Sequence, residues 1–423
     1  MRAIITTYLF IFSLSISAQN FSERKTSRII NKIDALNQAH VSITVFSQKT
    51  SKYVVSYQSD YYMTPASNIK LFTFLAAIEN FDSLPALYYH NQDSVTHFKS
   101  TGYPLLFHPF YPDQELSDFL RSKTNLVYHL SKSEVESQGP GWSWDDYPYY
   151  FAAERSSFPI YGNTIQAFGK AEAPQFIPNS FEIQPSQDTL SKVLIREPSK
   201  NRFYYNPNKW NALDTLYSPF ITGDRLFVRL LAKNLKKPVE LSNESKTLPW
   251  KLLYTGNEKL LYRALLQDSD NGIAEALLAM ISQKKFNKMN IDKAIEFLKV
   301  NWGNWLTDPI EWVDGSGISR YNMVTSRTLI AVLKKIYSRV GIQTIKNYFP
   351  QIDISETLKK YNLKNVYAKT GSLRNNHNFS GYWISTKGNI YVFSIMVNHF
   401  TSPKIEISQA IGQLLNNFQK KMK

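Results

Sequence analysis

The chain has 423 residues, of which 43% are hydrophobic, enough to bury a substantial core and to build more than one lobe. It contains no cysteine, which excludes disulfides, a thiol nucleophile, thiolate zinc sites and a lipid-bearing cysteine. The formal charge of +15 would attract any polyanion, but the lysines and arginines are spread along the chain instead of forming a nucleic-acid stripe.

Met1-Arg2-Ala3, an apolar run over 4–16 and the small pair Ser17-Ala18 read as a secretory signal, residues 1–18, cleaved after Ala18. The apolar stretch is about a dozen residues, short of the roughly twenty a membrane span needs. No later stretch is long enough either, so no transmembrane anchor is expected. Export removes the chain from nucleic acid. Association of the basic surface with an anionic envelope or wall polymer fits the charge, and so does a plain solvated lysine-rich surface.

Residues 22–39 carry Ile29, Ile30, Ile33 and Leu36 at helical spacing and predict an amphipathic helix. The β-rich runs 41–46 and 53–57, separated by a polar turn, predict a hairpin. Pro65-Ala66-Ser67 then opens a helix over 71–78 that is apolar on nearly every side and therefore buried. From about 88 to 239 the pattern turns short, aromatic and irregular, which predicts a separate, largely β inserted region. Helical periodicity returns at 224–235 and again from 260, including 291–300, 326–340 and 405–418. Strand-like runs stand at 379–385 and 390–397. The predicted organisation is a catalytic domain in two parts, 19–88 and 240–423, interrupted by an insertion over 89–239.

Ser67-Asn68-Ile69-Lys70 places a hydroxyl and an amine three residues apart on one helix face. A serine hydroxyl needs a base to become a nucleophile, and a desolvated lysine can be neutral enough to serve. Ser282-Gln283-Lys284-Lys285 repeats the spacing but falls in a polar stretch expected to be exposed, so context selects Ser67. Ser269-Asp270-Asn271 offers a hydroxyl and an amide that could relay a proton and grip a substrate amide. Lys369-Thr370-Gly371-Ser372 offers a cation and two hydroxyls for a terminal carboxylate, with Gly371 letting substrate lie close to the backbone. The seven histidines, His40, His90, His97, His108, His129, His377 and His399, are scattered without a His-Glu-x-x-His pair, which argues against a zinc hydrolase. Neither metal nor another cofactor is expected.

The three motifs in this order are those of penicillin-binding proteins and class A β-lactamases. With the strings 62–67, 141–146 and 314–320, the chain resembles the class C low-molecular-mass penicillin-binding proteins, the D-alanyl-D-alanine carboxypeptidase and endopeptidase family. That resemblance implies an α+β fold, a penicillin-recognising antiparallel sheet covered by helices, with a large insertion between the first two motifs. The roughly two hundred residues between Ser67 and Ser269 agree with such an insertion, somewhat shorter than the family's usual one. It further implies a serine peptidase acting on peptidoglycan stem peptides and cross-links in the periplasm, with β-lactams as covalent inhibitors. Ser67 would be the nucleophile and Lys70 its base. Ser269, Asn271 and Lys369 would complete the proton and substrate network, and Thr370 and Ser372 would bind the terminal carboxylate. The backbone N–H groups of Ser67 and Ser372 would form the oxyanion hole. Asp146 would contact the amino end of a diaminopimelate side chain, or else be a turn aspartate beside Trp142 and Trp144. Which amine first accepts the proton stays open. The alternatives are a β-lactamase, although no Glu-x-x-Leu-Asn element is present, and a catalytically silent peptidoglycan-binding scaffold.

Overall fold

The computed structural model describes residues 21–186, 192–242, 247–351 and 359–422; the predicted signal lies outside them. The central element is an antiparallel five-stranded sheet in the order Val366–Leu373, Asn376–Ile384, Ile390–Asn398, His40–Ser47, Lys52–Tyr57. The predicted hairpin supplies its last two strands, and the first half of the chain is stitched to the last by register pairs running from His40↔Asn398 to Ser47↔Tyr391.

Side chains alternate between the two faces with the strand period of two. Ile43, Val45, Phe393, Ile395 and Val397 turn to one side, where Ile407, Ile411, Leu414 and Phe418 of the terminal helix Lys404–Lys421 cover them. Val392 and Met396 turn to the other, toward the helices Lys70–Asn80 and Ser326–Tyr348. On that second face the sheet also carries hydroxyls, and each is paired: Ser42 and Thr44 both lie 2.7 Å from Ser326 Oγ, and Ser380 donates to Ser394 at 2.9 Å. A β-rich core with buried hydroxyls is affordable only when those hydroxyls find partners.

Lys70–Asn80 has every residue from Lys70 to Ala77 buried, as its all-round apolar sequence predicts. It packs against Glu258–Leu266, Asn271–Phe286 and Ser326–Tyr348, so the helix carrying the first motif is the hub of the helical layer. The first helix is shorter than predicted. It spans Glu23–Ile30, capped by Ser22, and Asp34–Leu36 is a separate 3-10 turn. Ile33 between them is extended, and this break swings Ile30, Ile33 and Leu36 together onto the sheet.

Between the first two motifs the chain builds a second five-stranded sheet, ordered Val239–Ser242, Asn125–His129, Val95–Ser100, Pro85–Gln92, Lys251–Tyr254, and two three-stranded sheets. Among its described residues the stretch 89–239 holds two α-helices, Gln114–Ser122 and Asp224–Leu235. This region is not separately cored. Phe98, Leu105, Tyr128, Phe203 and Leu230 belong to one continuous apolar cluster with Leu71 and Leu277. Its buried aromatic side chains share the core of the helical layer.

Candidate active site

Ser67 sits in the 3-10 turn Ala66–Ile69 that leads into helix Lys70–Asn80. The turn is clamped to the sheet by amides: Asn68 Nδ2 donates to Lys369 O at 2.8 Å, Asn378 Nδ2 to Thr64 O at 2.9 Å, and Thr64 N to Asn398 Oδ1 at 2.8 Å. Ala66 is held at φ +48°, a left-handed conformation that costs a non-glycine residue on the order of 1–3 kcal/mol and needs such support. The Lys-Thr-Gly motif lies within a strand. Val366–Leu373 is the edge strand of the main sheet, beside Asn376–Ile384.

A Cβ on Gly371 would stand 2.3 Å from Pro65 O and 2.8 Å from Asn68 N. Strand and turn therefore touch backbone to backbone, as only glycine permits. Gly371→Ala is expected to push the strand off the turn, costing about 2 kcal/mol of stability and at least ~100-fold in kcat/KM, since a shift of about 1 Å in a catalytic group is worth that much. Thermal unfolding and hydrolysis rates measured on the same preparation check both numbers.

Lys70 is buried and its Nζ has three acceptors: Ser67 Oγ at 3.1 Å, Asn271 Oδ1 at 2.6 Å and Ser316 O at 2.5 Å. Two of these are carbonyl oxygens that can only accept, so they take two of the amine's N–H bonds. The remaining direction faces Ser67 Oγ with either a third N–H or the lone pair. Burial foremost lowers the Lys70 pKa to about 8, against the opposing pull of Asp314, Asp270 and Glu275. Near neutral pH the lone pair is thus available to a substantial minority of molecules, already aimed at the serine.

Across the cleft Lys369 Nζ donates to Ser269 Oγ at 2.8 Å and to Thr370 O at 3.0 Å. Burial foremost, then the neighbouring charge of Lys70, holds Lys369 well below the ordinary lysine range. Ser269 has φ +60° and precedes the N-cap Asp270, whose carboxylate accepts from Ile273 N at 2.8 Å to start helix Asn271–Phe286. Asn271 is oriented at its other end by donating to Phe151 O at 2.7 Å.

Ser67, Lys70, Ser269, Asn271 and Lys369 are therefore joined by two sets of direct hydrogen bonds, and Thr370, Gly371 and Ser372 follow Lys369 on the same strand. Asp146 stands apart from this cluster on the short 3-10 turn Trp144–Asp146. Its pKa is raised, by burial first and by Asp145 second, with Arg320 and Lys192 opposing. The string 314–320 acts through Asp314, which is fully buried and accepts from Trp142 Nε1 at 2.9 Å, Gly317 N at 2.8 Å, Ser319 N at 2.7 Å and Asn322 Nδ2 at 2.7 Å. It ties the strings 141–146 and 314–320 together and fixes the loop whose Ser316 carbonyl holds Lys70.

Sequence reasoning missed Glu275 and Arg155. Glu275 Oε1 accepts from Ser316 N at 2.8 Å, and its other oxygen faces Arg155 Nη1 at 3.5 Å in a buried ion pair. Arg155 also donates to Glu136 O and Gln138 O. The second Ser-x-x-Lys departs from its expected exposure at one end: Ser282 is fully buried, donates to Lys288 O at 2.7 Å and accepts from Asn290 N at 3.0 Å, holding the turn after its helix. The lysine of that motif, Lys285, lies over the Phe297 ring, 5.1 Å from its centroid.

Residues 23–86 and 258–418, together more than half of the chain, match the D-Ala-D-Ala carboxypeptidase 3 (S13) family. The sequence is 21% identical to the D-alanyl-D-alanine carboxypeptidase DacB of Haemophilus influenzae over 94% of this chain and 93% of that one. The fold is similar to the crystal structure of penicillin binding protein 4 from the same organism, with a TM-score of 0.75 at 18% identity over 93% of this chain and 99% of that one. It is also similar to a predatory peptidoglycan endopeptidase of Bdellovibrio bacteriovorus, with a TM-score of 0.52 at 14% identity over 90% and 93% of the two chains. The two matched segments are those that carry all three motifs and the main sheet, and the unmatched stretch is the one that builds the second sheet: the chain belongs to the D-Ala-D-Ala carboxypeptidase 3 (S13) family.

Proposed function

We propose that the chain hydrolyses D-alanyl-D-alanine ends of peptidoglycan stem peptides, and cross-links that end in D-alanine, through an acyl-enzyme on Ser67. The observation that carries this reading is the placement of Lys70 Nζ, held by Asn271 Oδ1 and Ser316 O with its third direction on Ser67 Oγ. In the acylation step Ser67 Oγ attacks the carbonyl carbon of the penultimate D-alanine while its proton passes to the Lys70 lone pair. The carbonyl electron pair moves onto oxygen, toward the backbone N–H groups of Ser67 and Ser372. As the tetrahedral species collapses, the C–N bond breaks and the leaving amine takes the Ser269 hydroxyl proton, which Lys369 replaces across their 2.8 Å hydrogen bond, while the proton taken from Ser67 stays on Lys70 until deacylation returns it. Water then attacks the ester by the same route in reverse and frees Ser67.

Thr370 and Ser372 are assigned the terminal carboxylate, and Asp146 the amino end of a diaminopimelate side chain. A carboxylate whose pKa is raised by burial gains from a substrate ammonium beside it. The chemistry applies equally to β-lactams, whose strained amide would acylate Ser67; the Haemophilus penicillin binding protein 4 has been solved with a β-lactam bound. The amino-terminal signal read from sequence supports action outside the cytoplasmic membrane, in the periplasm, and among the described residues no helix is long and apolar enough to cross a membrane.

Mass spectrometry of purified stem peptides after incubation tests the reading. Loss of one D-alanine from a pentapeptide and conversion of a cross-linked dimer to monomers are the expected products. Folded protein that produces neither overturns it.

A further inference from the structure

The sequence offers His377 only as one of seven scattered histidines. In the fold it lies on strand Asn376–Ile384, opposite Ser372 in the register of the edge strand. Its side chain is fully buried. His377 Nδ1 stands 2.7 Å from Ser372 Oγ. Its other nitrogen, Nε2, stands 2.6 Å from the hydroxyl of Tyr361 and 3.1 Å from Ser408 Oγ on the terminal helix. The Tyr361 ring is stacked on Phe379 with centroids 4.3 Å apart, and on His377 itself. A line of contacts thus runs from the carboxylate end of the cleft, through the sheet edge, to the helix that covers the sheet's far face.

A neutral His377 ring has two tautomers, and which of them is present decides whether the Ser372 hydroxyl accepts from Nδ1 or donates to it. Burial, with Lys360 and Lys404 nearby, pushes the His377 pKa down to about 3, so the ring is neutral and carries one N–H. Burial also raises the Tyr361 pKa, which keeps that phenol protonated. With the phenol donating to Nε2 across the shorter 2.6 Å contact, the neutral ring carries its proton on Nδ1, whereas a proton on Nε2 would go to the phenol oxygen or to Ser408 Oγ, whose own proton goes to Lys404 O at 2.9 Å. The Nδ1–H then donates to Ser372 Oγ. With its oxygen already accepting, Ser372 is left with its own proton to give, and a carboxylate accepts without being able to donate.

We propose that His377, fixed by Tyr361, is a positioning residue that turns the Ser372 hydroxyl outward as an obligate donor to the substrate's terminal carboxylate, so that the chain selects a free carboxyl end over a neutral one. The inference rests on the carboxylate assignment made above. In the opposite ring tautomer Nδ1 would accept from Ser372, and the hydroxyl proton would be spent inside the protein.

The test compares an acyl-D-alanyl-D-alanine tripeptide with the same peptide ending in a carboxamide, measuring release of D-alanine or D-alaninamide by mass spectrometry. The variants are Ser372→Ala, His377→Phe and Tyr361→Phe combined with Ser408→Ala, which removes both hydroxyls at Nε2 while keeping the stacked ring. Wild type should prefer the carboxylate. The Tyr361/Ser408 double variant should lose about tenfold in kcat/KM on the carboxylate peptide, mainly through KM, with little change on the amide. Adding His377→Phe to Ser372→Ala should cost nothing further on the carboxylate peptide, because both changes remove the same donor.

Equal losses on both peptides, or additive losses in the Ser372/His377 cycle, would mean that His377 only supports the fold and would overturn the inference. If His377→Phe does not fold, the Tyr361/Ser408 variant decides alone: an unchanged preference for the carboxylate overturns the inference. A wild type with no preference between the two ends would instead refute the carboxylate assignment itself.

Discussion

Ser67→Ala is expected to lower kcat/KM for D-alanyl-D-alanine peptides by a factor on the order of 10⁴ to 10⁶, the range seen when a serine nucleophile is removed and only binding and oxyanion stabilisation remain. Stability should change by no more than about 1 kcal/mol, since the side-chain bond lost is the 3.1 Å contact with Lys70. The amine keeps its two shorter acceptors, Asn271 Oδ1 and Ser316 O, so it should stay where it is. Steady-state hydrolysis beside a thermal melt separates the two effects. A variant that melts normally and retains more than about a hundredth of the activity would show that the attacking oxygen belongs elsewhere.

Lys70→Met carries the second large effect. Removing a positioned general base costs about 10² to 10⁴ in rate, and here the upper end is expected, because the lysine also orients Asn271. The pH profile is the more informative readout. Lysine below its pKa is protonated and has no lone pair for Ser67, so kcat/KM should rise about tenfold per pH unit at low pH and level off above the Lys70 pKa, about 8 by burial. The residual activity of Lys70→Met should lack that limb. A limb that survives in Lys70→Met but disappears in Lys369→Met would assign the first proton transfer to the lysine across the cleft, whose pKa is also depressed.

These expectations depend on how the two lysines are buried, and that was only partly legible in the sequence. The apolar run after Ser67 announces a buried helix, and a lysine on its first turn is therefore desolvated. The motif spacings likewise brought Ser269, Asn271 and Lys369 into the candidate list. What the sequence hid were the long-range polar contacts. Glu275 lies one turn into a helix whose neighbours are apolar, and nothing local indicates that it meets Arg155, some 120 positions earlier, or that the pair holds the Ser316 amide. His377 and Tyr361 are hidden for the same reason: their partners come from three different elements.

At two places the structure departs from what local composition suggests, for one physical cause. Lys369 to Ser372 form part of an edge strand although Thr, Gly and Ser interrupt strand alternation, because a strand packed against a turn needs a glycine where the Pro65 carbonyl approaches. Ser282 looked exposed because it is polar, yet helix Asn271–Phe286 is buried around most of its circumference. In both places tertiary packing overrode local composition. The inserted region was recognisable as β-rich from its short aromatic runs, whereas its shared core with the helical layer required the contacts of Phe98, Tyr128 and Phe203.

The central claim is that Ser67 forms a covalent acyl-enzyme, and intact-mass spectrometry of the protein after incubation with a penicillin tests it most directly. The account predicts a single adduct of the full penicillin mass on the wild-type chain, mapped to the peptide containing Ser67 and absent from Ser67→Ala. An adduct that persists at full stoichiometry in the folded Ser67→Ala variant would contradict it.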